Sequence, residues 1–143
     1  MHLVTAAFDR ILDDLHAHLV GSGHEDLRPT HCLNVFRHLD CTGTRPTTLA
    51  RRAGMTPQAM GELVTYLERQ GYVRREPDPD DGRGRVVVYA ERGTRAAGIA
   101  DRYLADVEAG WDRALGPGGL EAARAALTTI IASERPGARR RET

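Results

Sequence analysis

Two short helical patterns separated by three residues constrain the fold of this chain more than any other feature. They lie in the stretch TTLARRAGMTPQAMGELVTYLERQG, residues 47–71. The first pattern, residues 46–53, ends at Gly54, because glycine readily adopts the left-handed backbone that closes a helix. The second begins with Thr56 as N-cap and Pro57 in the first helical position, and its apolar residues recur at helical spacing. This layout predicts a helix-turn-helix.

Other periodic segments surround this motif. Apolar spacing predicts further helices at residues 3–19, 28–39, 91–115 and 119–134, and strands at residues 72–76 and 85–90. The fold class is therefore mainly α with a small β-hairpin wing, a winged helix-turn-helix with terminal helices. The terminal helices have wide apolar faces that a single copy would leave exposed, which predicts a homodimer.

The domain organisation follows from this order of elements. We expect a single domain over residues 1–143, with a DNA-binding lobe at 28–93. The helical dimerisation region comprises residues 1–27 and 94–134, and residues 135–143 form a basic tail.

The chain carries no net charge, but its charges are unevenly distributed. Residues 28–93 hold eleven arginines and eight acidic residues, whereas residues 1–27 hold one arginine and five acidic residues. All twenty basic residues are arginine, which binds phosphate and guanine in a bidentate manner. A GC-rich coding sequence would also produce this bias. The middle segment is thus the candidate surface for an anionic partner.

The location follows from what the sequence lacks. No apolar run approaches the ~20 residues that a membrane-spanning helix requires. The start, MHLVTAAFDR, lacks the pattern of a signal peptide, and two cysteines do not make a disulfide framework. We expect a cytoplasmic protein without membrane contact and without a cofactor.

The hairpin sequence contains an unusual turn. About eight residues, Pro77 to Gly84, separate the predicted strands, more than a simple reversal needs. Arg83 and Arg85 are therefore expected at the tip, where an arginine could enter a narrow minor groove of DNA. We expect the Asp81 carboxylate to hold the Arg83 guanidinium.

The helix-turn-helix would contribute the remaining DNA contacts. The second helix would enter the major groove, where glutamine can pair with adenine and alanine can touch a thymine methyl. The preceding helix would cross the sugar-phosphate backbone. The predicted contacts in these two helices are Arg45, Thr47, Thr48, Arg51, Thr56, Pro57, Gln58, Ala59 and Thr65.

Taken together, these residues resemble the MarR family of bacterial winged helix-turn-helix regulators over nearly the whole chain. The stretch LRPTHCLNVFRHLD, the helix-turn-helix and the order of elements are similar, and the wing pattern is matched by Asp78, Pro79, Asp81, Arg83 and Gly93. The resemblance implies a homodimer that binds a near-palindromic DNA operator. It also implies release by a small-molecule effector bound between the dimer helices and the DNA-binding lobe, with phenolic compounds as candidates.

The chain departs from the family pattern at three places. Gly82 stands where many relatives carry arginine, Gly84 is smaller than the usual residue, and Tyr89 with Ala90 replaces Leu-Thr. The resemblance implies weaker DNA binding or a more mobile wing as a result. Two further readings stay open: a winged-helix protein-interaction module without DNA readout, and a thiol-based redox sensor.

Cysteine and histidine positions provide the other candidate sites. Cys32 or Cys41 could respond to oxidants, although the apolar helix face around Cys32 favours an inert buried thiol. His16, Arg28 and His31 are candidates for lining an effector pocket. His16 and His18 are two residues apart on a helix and face different ways, so no metal site is predicted.

Enzymatic activity is not expected. The two serines, Ser22 and Ser133, lack the G-x-S-x-G context of a nucleophile elbow. The chain also lacks H-E-x-x-H and P-loop motifs, so no catalytic residue is assigned.

Overall fold

The computed structural model describes residues 2–133 and confirms a mainly helical winged helix with a two-stranded hairpin. The predicted basic tail, residues 135–143, lies outside the described residues. The helices are α1 His2–Gly21, α2 Pro29–Asn34, α3 Pro46–Ala53, α4 Pro57–Arg69, α5 Glu91–Leu115 and α6 Gly119–Ala132. The strands are β1 Val73–Asp78 and β2 Asp81–Tyr89.

The helix-turn-helix forms where the sequence predicts it. Gly54 adopts a left-handed backbone with φ 65°, and Met55 N–H bonds to the Ala50 carbonyl at 2.8 Å, which closes α3. Gly54, Met55 and Thr56 are the three residues between α3 and α4. Apolar side chains of α3 and α4 are fully buried, as are those at the start of β1 and in β2. Together they form the apolar core of the lobe. Its fully buried side chains include Leu49, Met60, Val64, Leu67, Tyr72 and Val87.

The predicted helix over residues 28–39 is wrong in its second half. The α-helix ends at Asn34, and Phe36–His38 forms a 3-10 turn. Buried Val35 lies between them with φ −116°, a backbone outside the ideal helix range. The tighter turn brings the Phe36 ring to 5.2 Å from the Tyr89 ring in an edge-on contact, so tertiary packing overrides the local helical pattern.

The predicted long hairpin loop is also wrong. The strands pair from Val73 with Tyr89 to Asp78 with Asp81, so the turn itself comprises only Pro79 and Asp80. An irregularity in the register falls at Pro77 and Asp78. Glycine, proline and aspartate are usual turn residues, yet here they occupy the ends of two extended strands.

A third segment pairs with β2 on the edge that does not face β1. Thr44 pairs with Val87 through two backbone hydrogen bonds, each 2.9 Å long. Gly43 has φ 94°, and a Cβ there would lie 2.8 Å from a Val88 methyl group. The loop before α3 is therefore attached directly to β2, which fixes the wing relative to α3.

The start of α5 lies against the start of β1. Ala90 N–H donates to the Tyr72 carbonyl oxygen at 3.0 Å, and buried Gly93 follows in the first turn of the helix. A Cβ on Gly93 would lie 1.9 Å from that same oxygen. The glycine of the wing pattern is thus required by a close approach of two backbones.

The chain divides into two compact units, and the boundary between them falls between Tyr103 and Leu104, within α5. Large apolar side chains are exposed in each unit, including Leu3, Val4 and Phe8 in the first and Leu127, Ile130 and Ile131 in the second. Within the described range, no helix combines the length and apolar character needed to cross a bilayer.

Candidate nucleic-acid interface

The first turn of α4 is capped by a side chain and presents exposed residues. Thr56 is the N-cap, and its Oγ1 accepts a hydrogen bond from the Ala59 backbone N–H at 3.2 Å. Pro57 takes the first helical position. Gln58 is exposed and Ala59 is half-buried. The remaining unpaired N–H groups and the positive end of the helix dipole favour an anion near this turn.

The outward face of α4 borders a shallow groove of about 480 Å³. Gln58 and Glu62 lie one turn apart on this face, with the Gln58 amide 3.5 Å from the Glu62 carboxylate. The groove combines carboxamide, carboxylate and guanidinium groups, which are the groups that contact base edges. It is lined by Gln58, Gly61, Glu62, Thr65, Tyr66, Arg69 and Arg75.

Arg75 connects β1 to this face. Its Nη1 pairs with the Glu68 carboxylate and its Nη2 donates to Thr65 Oγ1 at 3.1 Å. The Arg75 backbone N–H also bonds to Glu68 at 3.2 Å. Thr65, a predicted DNA contact, therefore has its hydroxyl engaged by Arg75, and the base of the wing is tied to α4.

Arg45 ties the tip of the wing to α3. Its Nε donates to the buried Asp78 carboxylate at 2.5 Å, and its Nη2 lies 3.6 Å from Asp81. The Asp80 backbone N–H and Arg45 together lower the pKa of Asp78 from its usual value, so this carboxylate stays charged. Gly84 packs close to Asp78, with 3.2 Å between its ideal Cβ position and the Asp78 Cβ. Gly84 is thus tightly packed rather than loose.

Asp81 does not act as predicted on the guanidinium of Arg83. Its Oδ1 accepts a hydrogen bond from the Arg83 backbone N–H at 3.2 Å, and its other oxygen faces Arg45. Arg83 and Arg85 lie within β2 rather than at the tip, and both are exposed. In the described part of the chain neither forms an ion pair, so both guanidinium groups are available to a phosphate.

The predicted backbone contacts in α3 lie on its accessible surface. Thr47 and Arg51 are exposed and four residues apart, hence on one face of the helix. Thr48 is half-buried and lines a second groove of about 510 Å³ together with Arg45. Arg52, which sequence reasoning missed, donates to the His38 carbonyl at 2.7 Å and pairs with Asp40 at 2.9 Å.

A polar network centred on Asp26, which the sequence did not predict, connects the α1–α2 loop with α5 and the C-terminal end of α4. The Asp26 carboxylate accepts from Arg92 Nη1 at 2.6 Å, Arg92 Nη2 at 2.9 Å and the Tyr72 hydroxyl at 2.6 Å. Arg92 also donates to the Gln70 carbonyl at 3.0 Å. Buried His24 Nδ1 lies 3.0 Å from the Tyr72 oxygen.

The ionisation states of this network follow from its burial and charges. Burial and the adjacent Arg92 lower the pKa of His24, so the ring stays neutral near neutral pH. Because the Tyr72 hydroxyl donates to Asp26, His24 Nδ1–H is the donor to Tyr72. Hydrogen bonds from Arg92 and Tyr72 lower the pKa of Asp26 against the opposing effect of burial.

The predicted effector-pocket residues occupy two elements. His31 is buried in α2, stacks on the Tyr66 ring at 4.9 Å and accepts the Arg28 backbone N–H at 3.0 Å. Burial, followed by the charge of Arg28, lowers the pKa of His31. His16 lies half-buried on α1, and within residues 2–133 its Nδ1 has no hydrogen-bond partner. Their role in ligand binding remains a prediction.

The thiols differ in environment. Cys32 is partly buried, and burial raises its pKa to about 11, which disfavours the reactive thiolate. Cys41 is exposed, and both thiols are free. No group of three or more histidine, cysteine or acidic side chains in the described region could hold a metal ion.

The family comparison agrees with this geometry. The model of the MarR family matches residues 27–84, which contain α2 to α4 and most of the hairpin. Residues 27–84 are thus similar to the MarR family. The predicted resemblance is thereby confirmed. No curated protein sequence matches the chain.

Solved structures share the fold over more of the chain than the family model covers. FabT of Streptococcus pneumoniae, solved in complex with DNA, is 16% identical, with 91% of each chain covered and a TM-score of 0.79. CouR from Rhodococcus jostii RHA1, bound to p-coumaroyl-CoA, is 22% identical, with 93% of this chain and 92% of that chain covered and a TM-score of 0.67. AbsC, a MarR family transcriptional regulator from Streptomyces coelicolor, is 22% identical, with 91% and 88% covered and a TM-score of 0.66.

Proposed function

We propose that this protein is a dimeric, sequence-specific DNA-binding transcriptional regulator, a repressor that a small molecule releases from DNA. The observation that carries the proposal is the exposed face of α4, with Gln58 at its capped N-terminus and the exposed side chains of Arg83 and Arg85 on the adjacent wing. A helix face of this kind can enter the major groove while the wing contacts the flanking minor groove.

The fixed position of the wing supports the proposal. Arg75 attaches β1 to α4, and Arg45 attaches the hairpin end to α3 through Asp78. Because both ends of the wing are held, Arg83 keeps a defined position relative to α4. Such preorganisation reduces the entropy lost on binding. FabT, which shares the fold, was solved in complex with DNA, and this supports DNA as the partner.

Dimerisation rests on the exposed apolar side chains. In α1, Leu3 and Val4 are 86% and 66% exposed, and in α6, Ile130 and Ile131 are 65% and 83% exposed. Water contact of so many large apolar groups is unfavourable, and a second copy would remove it. Two copies would present two α4 helices, and a two-fold axis between them requires a near-palindromic operator.

The effector belongs to the same proposal. CouR was solved bound to p-coumaroyl-CoA, which makes phenolic acyl compounds the first candidates for this chain. His16, Arg28 and His31 are the side chains we propose for the effector pocket. Burial raises the pKa of Cys32 to about 11, which argues against this thiol as the site of an oxidant signal.

Selection from a random duplex pool tests the function. We expect the purified protein to enrich near-palindromic sites with half-sites about one helical turn, ~10 bp, apart. Repeating the selection with phenolic compounds should reduce the recovered DNA. Enrichment of isolated half-sites would contradict the dimer, and recovery of no preferred sequence would contradict sequence-specific binding.

A protein-interaction module is the second candidate, because several arginines of the lobe are already neutralised by acids. Arg45, Arg52, Arg74 and Arg75 each form an ion pair within the chain. Binding to random duplex at ~50 mM salt separates the two, since phosphate contacts dominate non-specific affinity. Complete indifference to duplex and to heparin would favour the interaction module.

Arg83→Ala is expected to weaken binding to the selected site by about 1–3 kcal/mol, because it removes a guanidinium from the groove. It should also reduce the slope of log K against the logarithm of the salt concentration by roughly one. Arg102→Ala, the same charge change at an exposed position of α5, is the control. Equal affinities of the two variants, in fluorescence anisotropy titrations at fixed salt, would show that the wing does not contact DNA.

A further inference from the structure

An unneutralised carboxylate lies in the middle of the proposed recognition face. Glu62 is exposed on α4, one turn after Gln58, and lines the same groove as Arg69. The Gln58 amide lies 3.5 Å from its carboxylate, a long contact that leaves most of its hydrogen-bonding capacity unused. Across the described residues Glu62 forms no ion pair.

Several other carboxylates of the lobe are held by arginine. Asp40 pairs with Arg52, Glu68 pairs with Arg75, and Asp78 and Asp81 both face Arg45. Arrangements of this kind reduce repulsion of a phosphate backbone. Among the described residues of the lobe, Asp80 in the hairpin turn and Glu62 are carboxylates without an ion pair, and of the two only Glu62 lies on α4. If α4 enters the major groove, Glu62 therefore needs a DNA group that can satisfy a carboxylate.

The DNA groups in the major groove that can hydrogen-bond directly to a carboxylate are donors on base edges, since phosphates repel it. Two bases present donors there, cytosine through N4 and adenine through N6. Adenine N6 is flanked in the groove by two acceptors, adenine N7 and thymine O4, both of which repel a carboxylate. Cytosine N4 has one such neighbour, guanine O6, and an apolar C–H on its other side. Cytosine is thus the better partner for Glu62.

We infer that Glu62 is a specificity-determining residue that selects a C·G pair in each operator half-site; this inference rests on the proposed DNA-binding function. Gln58 and Glu62 are four residues apart along α4, a rise of about 6 Å. Base pairs are spaced by about 3.4 Å along the duplex axis and further apart along the inclined groove, so the selected cytosine lies within about two base pairs of the pair contacted by Gln58. The carboxylate disfavours binding wherever cytosine is absent.

The experiment compares sequence selection by three full-length proteins: wild type, Glu62→Gln and Glu25→Gln. Glu25 is exposed in the loop after α1. The substitution Glu25→Gln therefore makes the same chemical change at a position outside α4. We expect wild type and Glu25→Gln to select C·G at one position of each half-site. Glu62→Gln should reduce the preference for C·G at that position by at least about fivefold and select adenine there more often, while the preferences at the other positions stay unchanged.

A titration on two defined duplexes completes the test. Changing the selected C·G pair to T·A should weaken wild-type binding about fivefold or more, and Glu62→Gln binding less than about twofold. Circular dichroism confirms that each variant is folded. Identical preferences of wild type and Glu62→Gln at every position would overturn the inference and leave the proposed function intact. Failure of all three proteins to enrich any sequence would overturn both.

Discussion

Gly93→Ala is expected to lower the free energy of unfolding by about 3 kcal/mol, at the upper end of the range for overpacking. The added Cβ would lie 1.9 Å from the Tyr72 carbonyl oxygen and 2.9 Å from its carbon. Both are backbone atoms, and the oxygen already accepts the Ala90 N–H, so neither can move without displacing the start of β1. Helix α5 must then shift away from the hairpin.

Gly98→Ala is the matched control for this substitution. Gly98 lies in the same helix, and its Cβ would meet no atom closer than the Arg102 Nη1 at 3.6 Å. Alanine there should stabilise the helix by up to ~1 kcal/mol. Urea unfolding followed by circular dichroism measures both variants. If Gly93→Ala unfolds at the same urea concentration as Gly98→Ala, the close backbone contact does not exist in solution.

Asp26→Ala is expected to destabilise the protein by about 2 kcal/mol, because it leaves several donors without their acceptor. Arg92 would lose both of its hydrogen bonds to the carboxylate, and the Tyr72 hydroxyl would lose its acceptor in a buried position. The Asp26 and Arg92 side chains are about one quarter exposed, so water compensates part of the loss.

Glu25→Ala removes the neighbouring, exposed carboxylate and should change stability by less than ~0.5 kcal/mol. Asp26→Asn keeps the shape and an acceptor oxygen, so its effect should fall between those of the two alanine variants. Thermal unfolding by differential scanning calorimetry gives all three values. A ranking in which Asp26→Ala matches Glu25→Ala would mean that the network contributes nothing to stability.

The helical part of the fold could be predicted from the sequence because its signals are local. Apolar spacing in α4, the N-cap at Thr56 and the left-handed Gly54 each depend on residues within one or two turns. The break at Val35 was missed because its cause is distant: Phe36 packs against Tyr89, which follows it by 53 residues. Local periodicity does not contain that contact.

The wing shows the same limit in the candidate site. Proline, aspartate and glycine near residues 77–84 predicted a long loop, whereas pairing with the opposite strand extends both strands to Asp78 and Asp81. Asp81 was assigned to Arg83, its neighbour in sequence, but its carboxylate also faces Arg45, 36 positions earlier in the chain. Partners this far apart in sequence are brought together by the fold alone.

The Arg92 guanidinium links α5 to two other segments of the chain. It bonds to the Gly23 carbonyl, which follows α1, to Asp26, which precedes α2, and to the Gln70 carbonyl, at the last turn of α4. The C-terminal end of α4 and the α1–α2 connection are therefore held by the same side chain of α5. A rotation of the first turn of α5 would pull on both of them together.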